Sequence, residues 1–369
     1  MKIGIVMYGG ASLSMGGGAE RRFARVVEYL VSQENEVYLY VNKQLEKEIV
    51  NLIGPNIKQN IVSYDDYNGS KIEILKFNIW VQKQIIKDKI DIVHLPLIQK
   101  SLIPFYKFLV FKRIPFVITV ALYYFSTNDK LDLMTKVIGK YLFKHAKTID
   151  SLYESFRNST YGIKHKNKIR VSPCSFTDYK RYMPTEKENI ITFCGRFIES
   201  KNPMLFLKAI NKLKKNVRKG WEFHLVGGGK LEPVLKKFII ENRLEESVYI
   251  YSTRKTQEVL SKSVIFCSLQ KNENYPSQSL LEAISCENAV IATDVGETNK
   301  LVNPSNGILI SGKNVTELTD GLELLMKDID LRSKLAKKAK ESCKKNHRVE
   351  IFAEYLIEIW TELYEVTKR

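Results

Sequence analysis

Two carboxylates, Glu273 and Glu282, bracket the stretch "ENYPSQSLLEA", which lies between the apolar runs "VIFCSL" and "AVIATD". Asn274, Pro276 and Ser277 form a turn signal ahead of a helical pattern. With Ser277 as N-cap, Ser279 and Leu280 present backbone amides that no helical carbonyl takes up. Such amides, aided by the helix dipole, hold anions. Glu282, about one turn into the helix, can accept hydrogen bonds from vicinal hydroxyls such as those of a ribose. The stretch therefore has the means to grip hydroxyls with its acids and an anionic group with its amides. Taken alone, it also fits surface decoration.

Three other junctions carry compatible chemistry. In "FCGRFIESKNP" a strand pattern ends at Gly195, and Arg196 and Lys201 follow in the loop. Arginine offers a planar fork and lysine a movable point charge, a pair suited to clamping a diphosphate. "LVGGGKLEP", with Gly227 to Gly229, is a second strand–glycine–helix junction. "GGASLSMGGGAERR" is a third, where Gly17 and Gly18 let a ligand approach backbone amides ahead of a helix from about Ala19. It fits neither the G-x-G-x-x-G fingerprint nor the P-loop pattern. Each junction alone is also what a flexible turn or a solvated cation looks like.

The elements that must position these residues are short apolar runs alternating with helix-period segments. The first half contains "KIGIVMY", "EVYLYV", "DIVHL", "FVITVAL", "TIDSLY" and "KIRVSP". The second half contains "NIITFCG", "EFHLVGG", "VYIY", "VIFCSL", "AVIATD" and "GILI". Continuous apolarity marks strands buried on both faces, as in a parallel sheet covered by helices. The recurrence every ~20–30 residues is that of a βα unit, so the pattern predicts an α/β fold with two doubly wound domains. Open sheets of this kind bind ligands at the C-terminal ends of their strands. The polar, Pro184-containing segment 176–189 places the boundary near 182, giving domains 1–182 and 183–347. Three helices are expected from Val315 onward. The last carries a stripe of Ile351, Tyr355, Ile357, Ile359, Trp360 and Leu363.

Composition narrows the class. Hydrophobic residues make up 44% of the 369 and charged residues 27%, which are globular values. The five cysteines form no C-x-x-C pair, which argues against a zinc site or disulfide framework and for reduced thiols in a cytosolic protein. The start reads as a first strand, and no apolar run approaches the ~20 residues of a membrane span. Of a net charge of +17, residues 101–180 carry 14 Lys+Arg against 5 Asp+Glu. That segment also holds "FYKFLVFKR", so Phe105, Tyr106, Phe108, Lys107, Lys112 and Arg113 are expected to be exposed and to suit an anionic membrane surface. A solvated basic face is the plainer reading. No motif supports nucleic-acid binding.

In order along the chain, Gly17-Gly18-Ala19-Glu20-Arg21, the Gly195-Arg196 to Lys201 spacing, Gly227 to Gly229, Glu273 to Glu282 and "AVIATDVGE" resemble glycosyltransferase family 4, the retaining GT-B enzymes or "glycosyl transferases group 1". The resemblance spans nearly the whole chain and is strongest from 190 to 302. It implies two Rossmann-like domains facing across a cleft, a terminal helix 348–369 crossing back onto the first, and a UDP- or GDP-sugar donor with no separate cofactor or metal. Carried over by position, Arg196 and Lys201 hold the diphosphate and stabilise the leaving group, Glu273 contacts the sugar and Glu282 the ribose. Gly17, Gly18, Gly227, Ser279 and Leu280 complete the donor site. The implied activity is transfer of a sugar to a glycan or lipid-linked acceptor in cell-envelope polysaccharide synthesis, by a cytoplasmic protein peripheral to the inner face of the membrane. A catalytically impaired sugar-nucleotide-binding relative and a sugar-nucleotide epimerase are the alternatives. Two departures stand out. The family's E-x7-E spacing measured back from Glu282 falls on Asn274, and Ala121 stands where many members have a histidine, with His94 a strand earlier.

Overall fold

The computed structural model describes residues 1–9, 18–65, 70–121, 125, 131–273, 275, 277–312 and 314–368. The chain divides into two compact units: Met1–Pro173 with Val349–Arg369, and Cys174–Arg348.

The first unit is a seven-stranded parallel sheet in the order β3-β2-β1-β4-β5-β6-β7. Its strands are β1 (Ile3–Val6), β2 (Val37–Asn42), β3 (Ile61–Tyr64), β4 (Ile92–Leu95), β5 (Phe116–Val120), β6 (Thr148–Ser151) and β7 (Ile169–Val171). The helices between them are α1 (Gly18–Ser32), α2 (Lys43–Ile53), α3 (Lys71–Lys87), α4 (Ile103–Phe111) and α5 (Leu133–His145). β4 and β5 are buried at every position, which is why their sequences are apolar without alternation. β3 alone was invisible as a run: it lies at the sheet edge with all four residues only half-buried, so "IVSY" carries no apolar signature. Side-chain caps fix helix starts. Ser70 accepts the Glu73 amide ahead of α3 at 3.2 Å, and Asp132 accepts the Thr135 amide ahead of α5 at 3.1 Å.

The second unit is a six-stranded parallel sheet in the order β10-β9-β8-β11-β12-β13. Its strands are β8 (Ile190–Cys194), β9 (Glu222–Val226), β10 (Val248–Tyr251), β11 (Ile265–Ser268), β12 (Ala289–Thr293) and β13 (Ile308–Ile310). Around it run α6 (Pro203–Lys212), α7 (Lys215–Arg218), α8 (Glu232–Glu241), α9 (Thr256–Lys262), α10 (Gln278–Ser285), α11 (Val315–Lys327) and α12 (Ile329–Asn346). The last helix, α13 (Val349–Lys368), belongs to the first unit and packs on α1.

The division falls after Pro173, not near 182. Residues 174–182 are polar in sequence yet anchored in the second unit. Tyr182 is buried beside Leu280 and Ile284, its carbonyl accepts the Ser285 hydroxyl at 2.5 Å, and the Tyr179 hydroxyl donates to the His347 carbonyl at 3.0 Å. The stripe of α13 also lies at a slightly different phase. Phe352, Ala353, Leu356, Ile359, Trp360 and Leu363 are buried, whereas Ile351, Tyr355 and Ile357 flank them half-buried.

Polar groups inside the first unit are joined in one chain. The Trp360 indole N–H donates to His94 Nδ1 at 3.1 Å, which assigns the ring proton to Nε2. Nε2 then donates to Thr119 Oγ1 at 2.8 Å, and the Thr119 hydroxyl donates to Asp150 Oδ2 at 2.8 Å. The other Asp150 oxygen accepts from Ser172 and Tyr355, each at 2.7 Å. Burial pushes His94 down to about 3, keeping the ring neutral, and pushes the Asp150 carboxyl up while its three hydroxyl donors pull it back.

Candidate functional site

The candidate residues of the second unit gather on the loops that follow its strands. After β8 the backbone runs against the glycine turn after β9. The Gly195 amide donates to the Val226 carbonyl at 3.0 Å, and the Phe197 amide to the Gly228 carbonyl at 2.9 Å. Contact this close requires Gly227: its φ is +152°, and a Cβ there would sit 2.0 Å from the Gly195 carbonyl oxygen. Gly227 thus positions the loop that carries Arg196 and Lys201, a role visible without any ligand.

Arg196 is exposed, while Lys201 is half-buried in a short 3₁₀ turn, Glu199–Lys201. The Lys201 ammonium donates to Gln270 Oε1 at 2.8 Å. Gln270, just beyond β11, is held in turn by the Thr293 hydroxyl on its carbonyl at 2.7 Å. The Lys271 amide donates to the Ser200 carbonyl at 2.9 Å, and Asn202, in the left-handed region at φ 55°, reaches the Gly312 carbonyl at 3.4 Å. The C-terminal ends of β8, β11, β12 and β13 are therefore tied together around the turn that carries Lys201. Burial, and after it the Arg196 charge, bring Lys201 down to about 8. A buried cation that faces a neutral amide is a candidate anion-binding group.

Glu273 is 7% exposed and packs against the turn after β12. Its Oε1 accepts the Glu297 amide at 2.6 Å. Gly296, at φ +56°, leaves the space its carboxylate occupies, since a Cβ there would lie 1.9 Å from Oε2. Burial pushes the Glu273 carboxyl up, and the Glu297 amide counters it. Glu282 is 3% exposed within α10, with the Gln278 side-chain amide 3.4 Å from Oε1. Ser277 stands at the N-cap position but does not cap: its hydroxyl lies 3.5 Å from that of Ser279 and bonds no helical amide. Ser279 and Leu280 fall in the first turn of α10, where helix geometry supplies no backbone acceptor for their N–H groups. Asn274 and Gly17 lie outside the described residues, so the Glu273-or-Asn274 alternative stays as the sequence left it. Gly18 opens α1.

In the first unit, the backbone leading into the glycine-rich loop is gripped on both sides. Asn42 accepts the Gly9 amide at 2.9 Å and donates to its carbonyl at 2.7 Å. Gln99 does the same for Tyr8, at 3.0 and 2.7 Å. Ala121, in the histidine position of the resemblance, offers only its carbonyl, 3.4 Å from the Tyr153 hydroxyl. His94 does not stand in for that histidine, because both ring nitrogens are committed inside the first unit. Sequence reasoning missed Gln270, Thr293 and the Gly296–Glu297 turn. The last lies within the motif "AVIATDVGE", whereas a glutamine after an apolar run carries no signal by itself.

Residues 177–342 match the family model for glycosyl transferases group 1. The chain is similar to a Campylobacter jejuni GalNAc-alpha-(1->4)-GalNAc-alpha-(1->3)-diNAcBac-PP-undecaprenol alpha-1,4-N-acetyl-D-galactosaminyltransferase, 28% identical over 180 residues, 48% of this chain and 50% of the relative. It is similar as well to the Staphylococcus aureus poly(ribitol-phosphate) alpha-N-acetylglucosaminyltransferase, 22% identical over 245 residues, 65% of this chain and 47% of that one. The alignments thus span about half the length of these two relatives. In fold it resembles Anabaena HepE solved in complex with UDP-glucose, at a TM-score of 0.79 and 15% identity, covering 98% of this chain and 100% of that one. Residues 177–342 therefore belong to the glycosyl transferases group 1 family, carried by a chain with the GT-B fold.

Proposed function

We propose that the chain is a retaining, metal-independent glycosyltransferase that moves a sugar from a UDP- or GDP-sugar to a glycan or lipid-linked acceptor of the cell envelope. The observation that carries this reading is Lys201: a half-buried ammonium held by Gln270, depressed to about 8, beside Arg196. Two neighbouring cations, Lys201 held in place by Gln270, suit the charge that develops on a departing nucleoside diphosphate, the task a metal performs elsewhere. Glu282 and the first turn of α10 supply the hydroxyl and anion grips. In a retaining transfer the bond from the sugar C1 to the donor phosphate oxygen breaks, and the acceptor oxygen bonds C1 on the same face. The acceptor proton passes to the departing phosphate oxygen, which suits a chain with Ala121 in place of a histidine. The activities of the relatives, on undecaprenol-diphosphate-linked glycans and on poly(ribitol-phosphate), support an envelope acceptor.

Calorimetric titration with UDP, GDP and duplex DNA tests the donor side. One nucleoside diphosphate is expected to bind, DNA is not, and Glu282→Ala is expected to weaken the nucleotide. Binding of neither diphosphate overturns the reading. Binding without turnover of any UDP- or GDP-sugar leaves a catalytically impaired relative instead.

A further inference from the structure

The surface expected on α4 closes inward: Phe105 and Tyr106 are core residues among Leu102, Leu109 and Phe116. In the second unit, the group that faces Lys201 is as constrained as Lys201 itself. Gln270 is buried, and its backbone is pinned from two sides. Its carbonyl accepts the hydroxyl of Thr293, a fully buried residue of β12, at 2.7 Å. The amide of the next residue, Lys271, donates to the Ser200 carbonyl at 2.9 Å, one position from Lys201. An ammonium has only N–H bonds to give, so the Gln270 side chain must turn its oxygen toward Lys201, at 2.8 Å.

The charged groups around this contact leave it electrically unbalanced. Arg196, from the same loop as Lys201, adds a second positive charge. Glu199, in the same turn, faces solvent and is taken by Lys271 at 2.7 Å. Glu273, beyond β11, accepts the Glu297 amide at 2.6 Å. Burial and Arg196 both bring Lys201 down, and no carboxylate among the described residues lifts it. Three side chains of similar length would fit position 270 with different results. Glutamate would close a buried ion pair and cancel the charge. Methionine would fill the space but leave the ammonium without this acceptor. Glutamine fixes the direction of the ammonium with one hydrogen bond and leaves its charge whole.

We propose that Gln270 is a positioning residue for sugar transfer, a neutral acceptor that aims the Lys201 ammonium at the donor diphosphate without neutralising it, with Thr293 holding it in place. This rests on the reading of Lys201 as part of the diphosphate clamp, and the two are separable by experiment.

Lys201→Ala, Gln270→Glu and Gln270→Met are compared with the parent by titration with UDP and GDP from about pH 6 to about pH 10, a range that brackets the Lys201 titration. Steady-state turnover of the nucleotide-sugar that the parent uses is measured alongside, and thermal melts verify the fold. Gln270→Glu is expected to lower diphosphate affinity at neutral pH about tenfold or more, because its carboxylate repels the ligand and occupies the ammonium. The same carboxylate favours the charged form of Lys201, so the fall in affinity with rising pH is expected to move upward from about 8. Gln270→Met is expected to show the opposite split, with diphosphate affinity nearly kept and kcat lowered about tenfold through loss of one charge-assisted hydrogen bond. A merely structural glutamine would lower the melting temperature in both variants and leave the pH midpoint where it is. With Lys201→Ala impaired, parental affinity and pH midpoint in Gln270→Glu overturn the proposal, as does parental kcat in Gln270→Met. Parental binding and turnover in Lys201→Ala overturn the clamp reading itself, and the proposal with it.

Discussion

Two polar networks, one in each unit, are built from the same chemistry and finished differently. In the first unit, Trp360, His94, Thr119, Asp150, Ser172 and Tyr355 satisfy one another. In the second, the Lys201 ammonium has three N–H bonds and makes one hydrogen bond among the described residues, to the neutral Gln270 amide. Buried polar groups in native proteins are nearly always paired, so a network that closes on itself reads as structural, and a buried cation facing a neutral amide is the candidate for a ligand site. Depressed titration alone does not separate them, since burial lowers both His94 and Lys201. Completeness of partners does.

The contrast breaks most visibly at Lys201. Lys201→Ala is expected to slow sugar transfer by two to three orders of magnitude, the ~2.7–4 kcal/mol typical of one preorganised charge contact, while the melting temperature holds. Steady-state rates and a thermal scan on one preparation decide it. Near-normal turnover would remove Lys201 from the diphosphate clamp.

Asp150→Ala should behave in the opposite way. It strands the hydroxyls of Thr119, Ser172 and Tyr355, each costing about 1–3 kcal/mol when buried unpaired, so stability is expected to fall by roughly 3 kcal/mol or more with nucleotide affinity intact. Urea unfolding combined with nucleotide titration reads both. An affinity loss equal to that of Lys201→Ala would erase the distinction between the two networks.

The pH dependence sharpens it further. Lys201 carries its charge below about 8, so diphosphate affinity is expected to fall as pH rises through that value, and the dependence should vanish in Lys201→Ala. The free protein should show the reverse trend in stability. Between about 8 and 10.5 the unfolded chain binds the proton that the folded chain has released, so stability rises with pH over that window.

Gly296→Ala is the subtlest test. A methyl group there meets the Glu273 carboxylate, so the variant is expected to impair use of the complete sugar donor severalfold while bare nucleoside diphosphate binds normally. Parallel titrations with diphosphate and with nucleotide-sugar separate the two. Equal losses in both would assign Glu273 to the nucleotide, not the sugar.

Much of this was legible in sequence because it depends on local pattern. Strands buried on both faces announce themselves as apolar runs, and glycine turns mark strand ends. β3 escaped because an edge strand with half-buried residues has nothing to announce. The boundary shifted because Tyr179 and Tyr182 look like linker residues until their partners, His347 and Ser285, arrive from far along the chain. Phe105 and Tyr106 looked like surface anchors because a basic neighbour does not reveal which side of a helix faces the core. Gln270 gave no sign of holding Lys201, since that pairing exists only once β8 and β11 lie side by side. Arg196, Lys201 and Glu282 were visible as charges beside turns, but which charge is buried, and against what, is a property of tertiary contact.

The route of the backbone carries a cost in time. The chain leaves the first unit at Pro173 and supplies its last helix only with Val349–Lys368. During synthesis Asp150 and His94 are made early, but Tyr355 and Trp360 are made after the whole of the second unit. At ~5–20 residues per second, the 195 residues that follow Pro173 up to Lys368 take roughly 10–40 s to appear. For that interval the nascent first unit has a sheet lacking one covering helix, and a carboxylate and an imidazole lacking their last partners. The second unit, contiguous in sequence, is free to complete itself first. The order of folding is thereby written into the path of the chain, with the fragment 1–173 the species most exposed to chaperones and to aggregation.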